Sequence, residues 1–291
     1  MSKISPDKSP SLSGFISVAG PRTLALLLGA LVVWGCLAGL SAGCGRKDSA
    51  ENICVAGSTS VQPFAEKLAE EFMRAHPQVR IDIQGGGSSA GIVAAEQGAA
   101  DLGASSRELA EGEKDLLEIP IAYDGIAIIV HKQNPLDNLK LEHIRQIFQG
   151  KIIDWRAFGL KPHPIHIITR EEGSGTRNAF EELVMGKHAE ITPMALVQDS
   201  NGSVREIVAN DPYAIGYISM GLVDPRVKAL AVDGVPPSRQ AVKNHDYKLV
   251  RRFLLVAKDL APGPCQAFVN FILSPKGQSL LEAEGLVGVG D

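Results

Sequence analysis

The chain has 291 residues, 45% hydrophobic and 21% charged, with a formal net charge of −4 and an isoelectric point of about 6.0. That is ordinary globular composition, enough for one large domain or two smaller ones. It excludes the basic excess of a nucleic-acid surface, so any anion the protein binds must be held by local geometry against an unhelpful overall charge. In chain order, Lys3, Lys8 and Arg22 come first, then the apolar run Thr23 to Leu40, then Ser41, Ala42, Gly43 and Cys44. A basic region, an apolar core and small residues before a cut are the parts of a secretory signal.

Cys44 after "LSAG" is similar to a bacterial lipobox, in which the cysteine is acylated and begins the mature chain; Cys36 is a second candidate. The apolar run is about as long as the shortest spanning helices, so a transmembrane anchor is the alternative. Either way the remainder is exported. The reading is a signal with lipobox over 1–44 and a polar linker over 45–51. Two cysteines remain, Cys54 and Cys265. In an oxidising compartment they either pair or serve as separate small hydrophobes. No Cys or His stands at ligand spacing from either, so no metal site is expected.

Beyond the linker, strands and helices alternate. "ICVAG" reads as a buried strand, and Ser60 to His76 as a helix with Val61, Phe64, Leu68, Phe72 and Met73 at helical spacing, closed by Pro77. "VRIDIQ" alternates like a strand, "AGIVAAEQG" is a short helix, and "ADLGAS" a buried strand end. "PIAYDGIAIIVHK" is a long apolar run interrupted by Tyr123-Asp124-Gly125. Then come the helix "LEHIRQIFQG", the strand "PIHIITR", the helix "TRNAFEELVMG", a strand end with loop and helix in "ALVQDSNGSVREIVAND", and the strands "AIGYISM" and "LVRRFLLVAK". A final helix from Pro264 is interrupted near Ser274-Pro275. Alternating elements of this kind mean an α/β fold. The acidic residues Glu108, Glu111, Glu113, Asp115 and Glu118 read as a solvated helix face.

Three segments share one design: a strand, a loop of Gly, Ser and Thr, then a helix. Their loops are Gly57-Ser58-Thr59-Ser60, Gly85 to Gly91, and Thr169 to Thr176. A helix start leaves N–H groups unpaired and carries partial positive charge, glycine lets an anion approach, and hydroxyls add donors. Each loop alone is explained as well by capping, but three gather where an α/β sheet binds its ligands. Gly85, Gly87 and Ala90 also fit a dinucleotide fingerprint, yet the acid it needs is missing. There is no Walker A sequence, no Gly-x-Ser-x-Gly elbow and no Cys–His pair near a loop, so no catalytic residue and no cofactor is expected. His163 and His166 flank Pro164 and read as surface or strand-edge residues.

At these loops the sequence resembles the substrate-binding proteins of bacterial phosphate ABC transporters, in their shorter branch. The strings that carry the resemblance are "GSTSVQP", "IQGGGSSAGI", "ADLGASSREL", "DGIAIIV", "ITREEGSGTR" and "AIGYIS". The resemblance implies a two-lobed type II periplasmic-binding-protein fold with two crossover strands and a ligand cleft between the lobes. One lobe would be 52–125 plus 246–291 and the other 126–245. It implies an inorganic phosphate ligand, ABC-transporter permease subunits as partners, a lipid anchor in the membrane and a monomer, with no nucleic acid.

Carried over by position, Thr59 gives a hydroxyl, Ser60 a backbone N–H with its hydroxyl as a further donor, and Ser88 a hydroxyl. Arg170 matches the family's arginine, and Ser174, Gly175 and Thr176 its Ser-Gly-Thr. Arg177 with Glu171 and Glu172 would form local or cross-cleft ion pairs. The longer branch ends the "GAS" strand with an aspartate that accepts the ligand's proton. Here Ser106 stands there, followed by Arg107, which adds positive charge, and Asp124 is the candidate replacement acceptor. Asp101 is assigned a structural role. Rival readings are another tetrahedral oxyanion such as sulfate or molybdate, a secreted phosphohydrolase, or a sensing or adhesion lipoprotein on the same fold.

Overall fold

The computed structural model describes residues 51–187 and 189–290. The expected signal with Cys36 and Cys44, the linker up to residue 50, and His188 lie outside the described residues. Strand β1 (Glu51–Gly57) leads into helix α1 (Gln62–Ala75), with Pro63 in its first turn. Phe64, Ala65, Leu68, Ala69 and Phe72 form its buried stripe, the three- and four-residue spacing that turns one helix face to a sheet. Strand β2 (Val79–Gly85), helix α2 (Ser88–Gln97) and strand β3 (Leu102–Ser105) follow. β1 lies parallel between β2 and β3, so the three carboxyl ends emerge on one side.

The acidic run after β3 forms a single 3-10 turn, Glu111–Glu113, rather than a solvated helix face. Most of its carboxylates hold basic side chains: Glu113 binds Arg107, Glu111 binds Lys114, and Glu108 and Glu118 both bind Arg252. Strand β4 (Leu117–His131) then runs unbroken through Tyr123-Asp124-Gly125, where the sequence reading placed an interruption. The reason is tertiary. Asp124 stands directly opposite Arg251 of strand β10 (Val250–Ala257), so its charge is neutralised within the ladder.

The first half of β4 pairs with β10, and its second half pairs antiparallel with β8 (Ala214–Ser219) and β9 (Val227–Val232). Beside β8 lies parallel β6 (His166–Arg170), and beyond it the edge strand β7 (Leu196–Gln198). The main sheet order is β2-β1-β3-β10-β4-β8-β6-β7. Strand β5 (Asn138–Leu139), β9 and the C-terminal β11 (Val287–Gly288) lie off this path and went unread in the sequence. Helices α3 (Leu141–Phe148), α4 (Gly175–Phe180), α5 (Asn201–Asn210) and α6 (Arg239–Lys243) connect these strands. α4 widens into a π-turn over Glu181–Met185, where Arg145 Nε donates to the Val184 carbonyl at 2.7 Å. The chain closes with α7 (Pro264–Leu273) and α8 (Pro275–Ala283). The expected break falls at Ser274, whose hydroxyl accepts from the Gly277 N–H.

Two large apolar clusters lie under this sheet. One gathers Ile53, Val55, Phe64, Phe72, Phe253 and Phe268; the other gathers Ile126, Ile128, Phe148, Trp155, Phe180 and Tyr217. Tyr247, Leu249 and Val287 join the second cluster although they fall in the segment 246–291. Both described cysteines are free thiols. Cys265 packs on the cluster that holds Ile53 and Val55, while Cys54 alternates with those two along β1 and so points to the opposite sheet face.

Candidate functional site

Serines lace the carboxyl ends of β1, β2 and β3 together. Gly57 has φ +138°, and a Cβ there would overlap the Ala104 carbonyl, so only glycine lets β1 turn against β3. The turn then brings the Ser58 N–H to that carbonyl at 2.8 Å, and the Ser58 hydroxyl donates to Ser106 Oγ at 2.8 Å. Ser88 Oγ accepts from the Ser106 N–H at 3.1 Å. No side chain caps α1 or α2 at its start.

The loop between β6 and α4 faces this trio. Ser174 accepts from the Arg177 N–H, which caps α4. Thr176 Oγ1 lies 2.7 Å from Ser60 Oγ, and Arg170 Nη2 donates to Thr59 Oγ1 at 3.2 Å. The Ser89 N–H reaches the Gly173 carbonyl at 3.2 Å. Gly175 sits so close that a methyl group there would overlap the Ser88 and Ser106 hydroxyls. Thr59, Ser60, Ser88, Ser106, Arg170, Ser174, Gly175 and Thr176, far apart in sequence, therefore come together. Ser60, Ser88, Ser106, Arg170, Ser174 and Thr176 are all at most 2% exposed, so an anion here would meet directed donors and little water.

Arg170 is the most informative of them. Its Nε and Nη2 fork onto Glu171 at 2.9 Å each, and they also donate to the carbonyls of Gln198 and Asp199 at 3.1 and 3.0 Å. Nη1 is buried and has no hydrogen-bond partner among the described residues. A buried cationic N–H left unpaired is costly, and an oxyanion oxygen is the acceptor that would satisfy it.

A second buried arginine, not singled out from the sequence, stands behind the cradle. Arg251 Nε and Nη2 donate to Asp124 at 3.0 and 2.8 Å, and Nη2 also reaches Ser60 Oγ at 3.2 Å. Burial pushes the Asp124 carboxyl up from its ordinary range and the Arg251 guanidinium down, and the attraction between them opposes both shifts. Asn201, also unread, donates through Nδ2 to Ser60 Oγ at 2.9 Å and Thr59 Oγ1 at 3.3 Å. Arg251 did leave a signal: two adjacent arginines inside an apolar strand put one of them on a buried face. Asn201 left none beyond its place at a helix start.

The remaining expected residues sit differently. Arg107 is held by Glu113 at 2.7 and 2.9 Å, and it steadies Ser89 Oγ at 3.1 Å rather than turning to the cradle. The oxygens of Asp124 are taken by Arg251 and by the Ser219 hydroxyl at 2.8 Å. Arg177 pairs with Glu181 at 2.8 Å and donates to the Arg170 carbonyl, while Glu171 holds Arg170 itself. Asp101 accepts from the Cys54 N–H at 2.8 Å. Formally, Glu171 cancels Arg170 and Asp124 cancels Arg251, so what this cluster offers an anion is oriented donors rather than net positive charge. Among the described residues, no group of three or more His, Cys, Asp or Glu could hold a metal ion.

Comparison with known proteins gives the family and the fold. The model of the PBP superfamily domain matches residues 45–276. The phosphate-binding protein PstS of Bacillus subtilis is 30% identical over 255 residues, covering 85% of this chain and 84% of that one. A solved structure from Clostridium perfringens, described as a candidate phosphate ABC transporter substrate-binding protein with bound phosphate, is 43% identical with a TM-score of 0.80, over 82% of this chain and all of that one. An ABC-type phosphate transport receptor from Vibrio cholerae is 36% identical with a TM-score of 0.68, over 81% of this chain and 99% of that one. The mixed α/β architecture is the type II periplasmic-binding-protein fold. The chain belongs to the PstS-like phosphate-binding proteins of the PBP superfamily.

Proposed function

We propose that the chain is an extracytoplasmic solute-binding protein that captures inorganic phosphate and delivers it to the permease of an ABC transporter, without chemistry of its own. The observation that carries this reading is Arg170 Nη1, a buried guanidinium nitrogen with no hydrogen-bond partner among the described residues, on an arginine whose Nη2 reaches Thr59 Oγ1 in the hydroxyl cluster. Thr59, Ser60, Ser88, Ser106, Ser174, Gly175 and Thr176 would donate to the phosphate oxygens together with Arg170. Segments 52–125 plus 246–291 and 126–245 would be the two lobes, with β4 and β10 crossing between them. Acylation of Cys44 would hold the protein at the membrane as a monomer. Charge-assisted bonds contribute about 1.5–3 kcal/mol each, and several of them, less desolvation and closure, leave roughly −8 kcal/mol, a micromolar affinity or better.

A second reading, sulfate or molybdate, draws on one observation: the "GAS" strand is followed by Ser106, where a carboxylate would reject a fully deprotonated oxyanion. Calorimetric titration of the protein, purified free of bound anion, separates the two. Phosphate should bind at micromolar or lower concentration and more tightly than sulfate. No heat and no thermal stabilisation by phosphate would sink the proposal, and tighter binding of sulfate would replace it with the second reading.

A further inference from the structure

Thr59 and Ser60 are backed by side-chain donors whose polarity is fixed. The Ser219 N–H can only donate, and it points at Asn201 Oδ1 at 3.1 Å, which fixes the amide's orientation. Nδ2 must then face the two hydroxyls. Its two hydrogens go to Ser60 Oγ at 2.9 Å and Thr59 Oγ1 at 3.3 Å, leaving none for a ligand. Each hydroxyl receives a second donor: Arg170 Nη2, which shares its two hydrogens among Glu171, the Asp199 carbonyl and Thr59, reaches Thr59 Oγ1 at 3.2 Å, and Arg251 Nη2 reaches Ser60 Oγ at 3.2 Å. A hydroxyl has two acceptor lone pairs and one hydrogen. With both lone pairs filled, Thr59 and Ser60 can only donate; the one hydrogen of Ser60 faces Thr176 Oγ1 at 2.7 Å and must turn from there to a ligand oxygen.

The opposite side of the cradle differs. Ser106 Oγ receives the Ser58 hydroxyl at 2.8 Å, and Ser88 Oγ receives the Ser106 N–H at 3.1 Å. Their own contact is a long 3.4 Å, so acceptor capacity remains there. Helix capping does not explain Asn201, because Ser200 already caps α5 by accepting from the Ser203 N–H.

We infer that Asn201, with Arg251 behind Ser60, is a positioning residue that makes the Thr59–Ser60 corner donor-only. This corner takes unprotonated oxygens of phosphate, and a ligand P–OH turns toward Ser88 and Ser106. The inference rests on phosphate being the ligand. The charged groups around the corner are Arg170 with Glu171, Arg251 with Asp124, and Asp199 and Arg177 beyond Arg170.

The test is phosphate affinity by calorimetry, roughly one pH unit below and one above the second ionisation of inorganic phosphate, for the unsubstituted protein and Asn201→Ala. Without the amide, both hydroxyls regain an acceptor lone pair and tolerate a second P–OH. The variant should lose about tenfold at the upper pH, the worth of one well-placed hydrogen bond, and clearly less at the lower. Unchanged affinity, or an equal loss at both pH values, overturns the inference. Should Asn201→Ala not fold, Ser60→Ala decides. A donor-only hydroxyl predicts the larger loss at the upper pH, and a larger loss at the lower pH means Ser60 was accepting. Failure of the unsubstituted protein to bind phosphate at either pH overturns the transport reading itself, and this inference with it.

Discussion

Arg170 and Arg251 are both buried and both forked onto a carboxylate, yet they do different work. Arg251 lies at the second position of β10, opposite Asp124 across the ladder, with 3% and 0% of the two side chains exposed. Its Nε, Nη1 and Nη2 are all engaged, on Asp124, the Ser106 carbonyl and Ser60. Arg170 ends β6 and pairs with its own neighbour, Glu171, whose side chain is 32% exposed at the rim of the site. Its Nη1 has no hydrogen-bond partner among the described residues. One charge is consumed by the fold; the other is held in place with a donor in reserve. The difference lies at Nη1. Each carboxylate holds the Nε–Nη2 edge of its arginine, but Arg251 Nη1 reaches the Ser106 carbonyl at 3.4 Å, whereas Arg170 Nη1 meets no acceptor among the described residues.

The largest expected effect tests the first half of that contrast. Arg251→Met leaves the buried Asp124 without its cation and with only the Ser219 hydroxyl and the Met220 backbone as partners, a loss of about 3–5 kcal/mol of stability, read as the shift in urea midpoint. Adding Asp124→Leu should restore most of it, because a packed apolar pair replaces the ion pair. An unshifted midpoint for Arg251→Met would break the comparison. Next comes Arg170→Ala. It should cost phosphate affinity about 100-fold or more, the worth of one or two charge-assisted bonds, while moving the urea midpoint less than Arg251→Met does, because Glu171 can turn to water. A larger stability loss than that of Arg251→Met would make Arg170 a fold residue instead. The smallest effects separate the two glutamates of the loop. Glu171→Gln weakens the fork that aims Arg170 and should cost roughly tenfold in affinity, whereas exposed Glu172→Gln should change it by less than about twofold. Equal effects would show that general charge, not aim, matters here.

Much of the fold was readable because its signals are local. Pro63 in the first turn of α1, the break at Ser274-Pro275 and the stripe of Phe64, Leu68 and Phe72 depend only on nearby residues. So do the three Gly-Ser-Thr loops. What misled the reading was charge whose partner the local pattern does not single out. Asp124 looked like an interruption because Arg251, 127 residues away, is invisible locally. Arg107 looked free because Glu113 was counted into a solvated face. Glu171 looked like a partner of Arg177, but the bond between Arg177 and Glu181 at helical spacing is the better local pair. Strand β9 escaped because its burial is mixed and it lies off the main sheet path.

By itself, the sequence determined the alternation of strands and helices, the placement of small flexible loops at strand ends, and the set of donors able to face an anion. Those follow from periodicity, glycine's freedom and side-chain chemistry, which act over a few residues. Only the tertiary structure decided which donors remain unspent. It left Arg170 Nη1 without an acceptor among the described residues, filled the lone pairs of Thr59 and Ser60 from Asn201, Arg170 and Arg251, and gave Asp124 and Arg107 to other partners. The reason is that a polar group has a small, countable set of hydrogen-bond positions, and only folding, by bringing distant segments together, determines how many are already used.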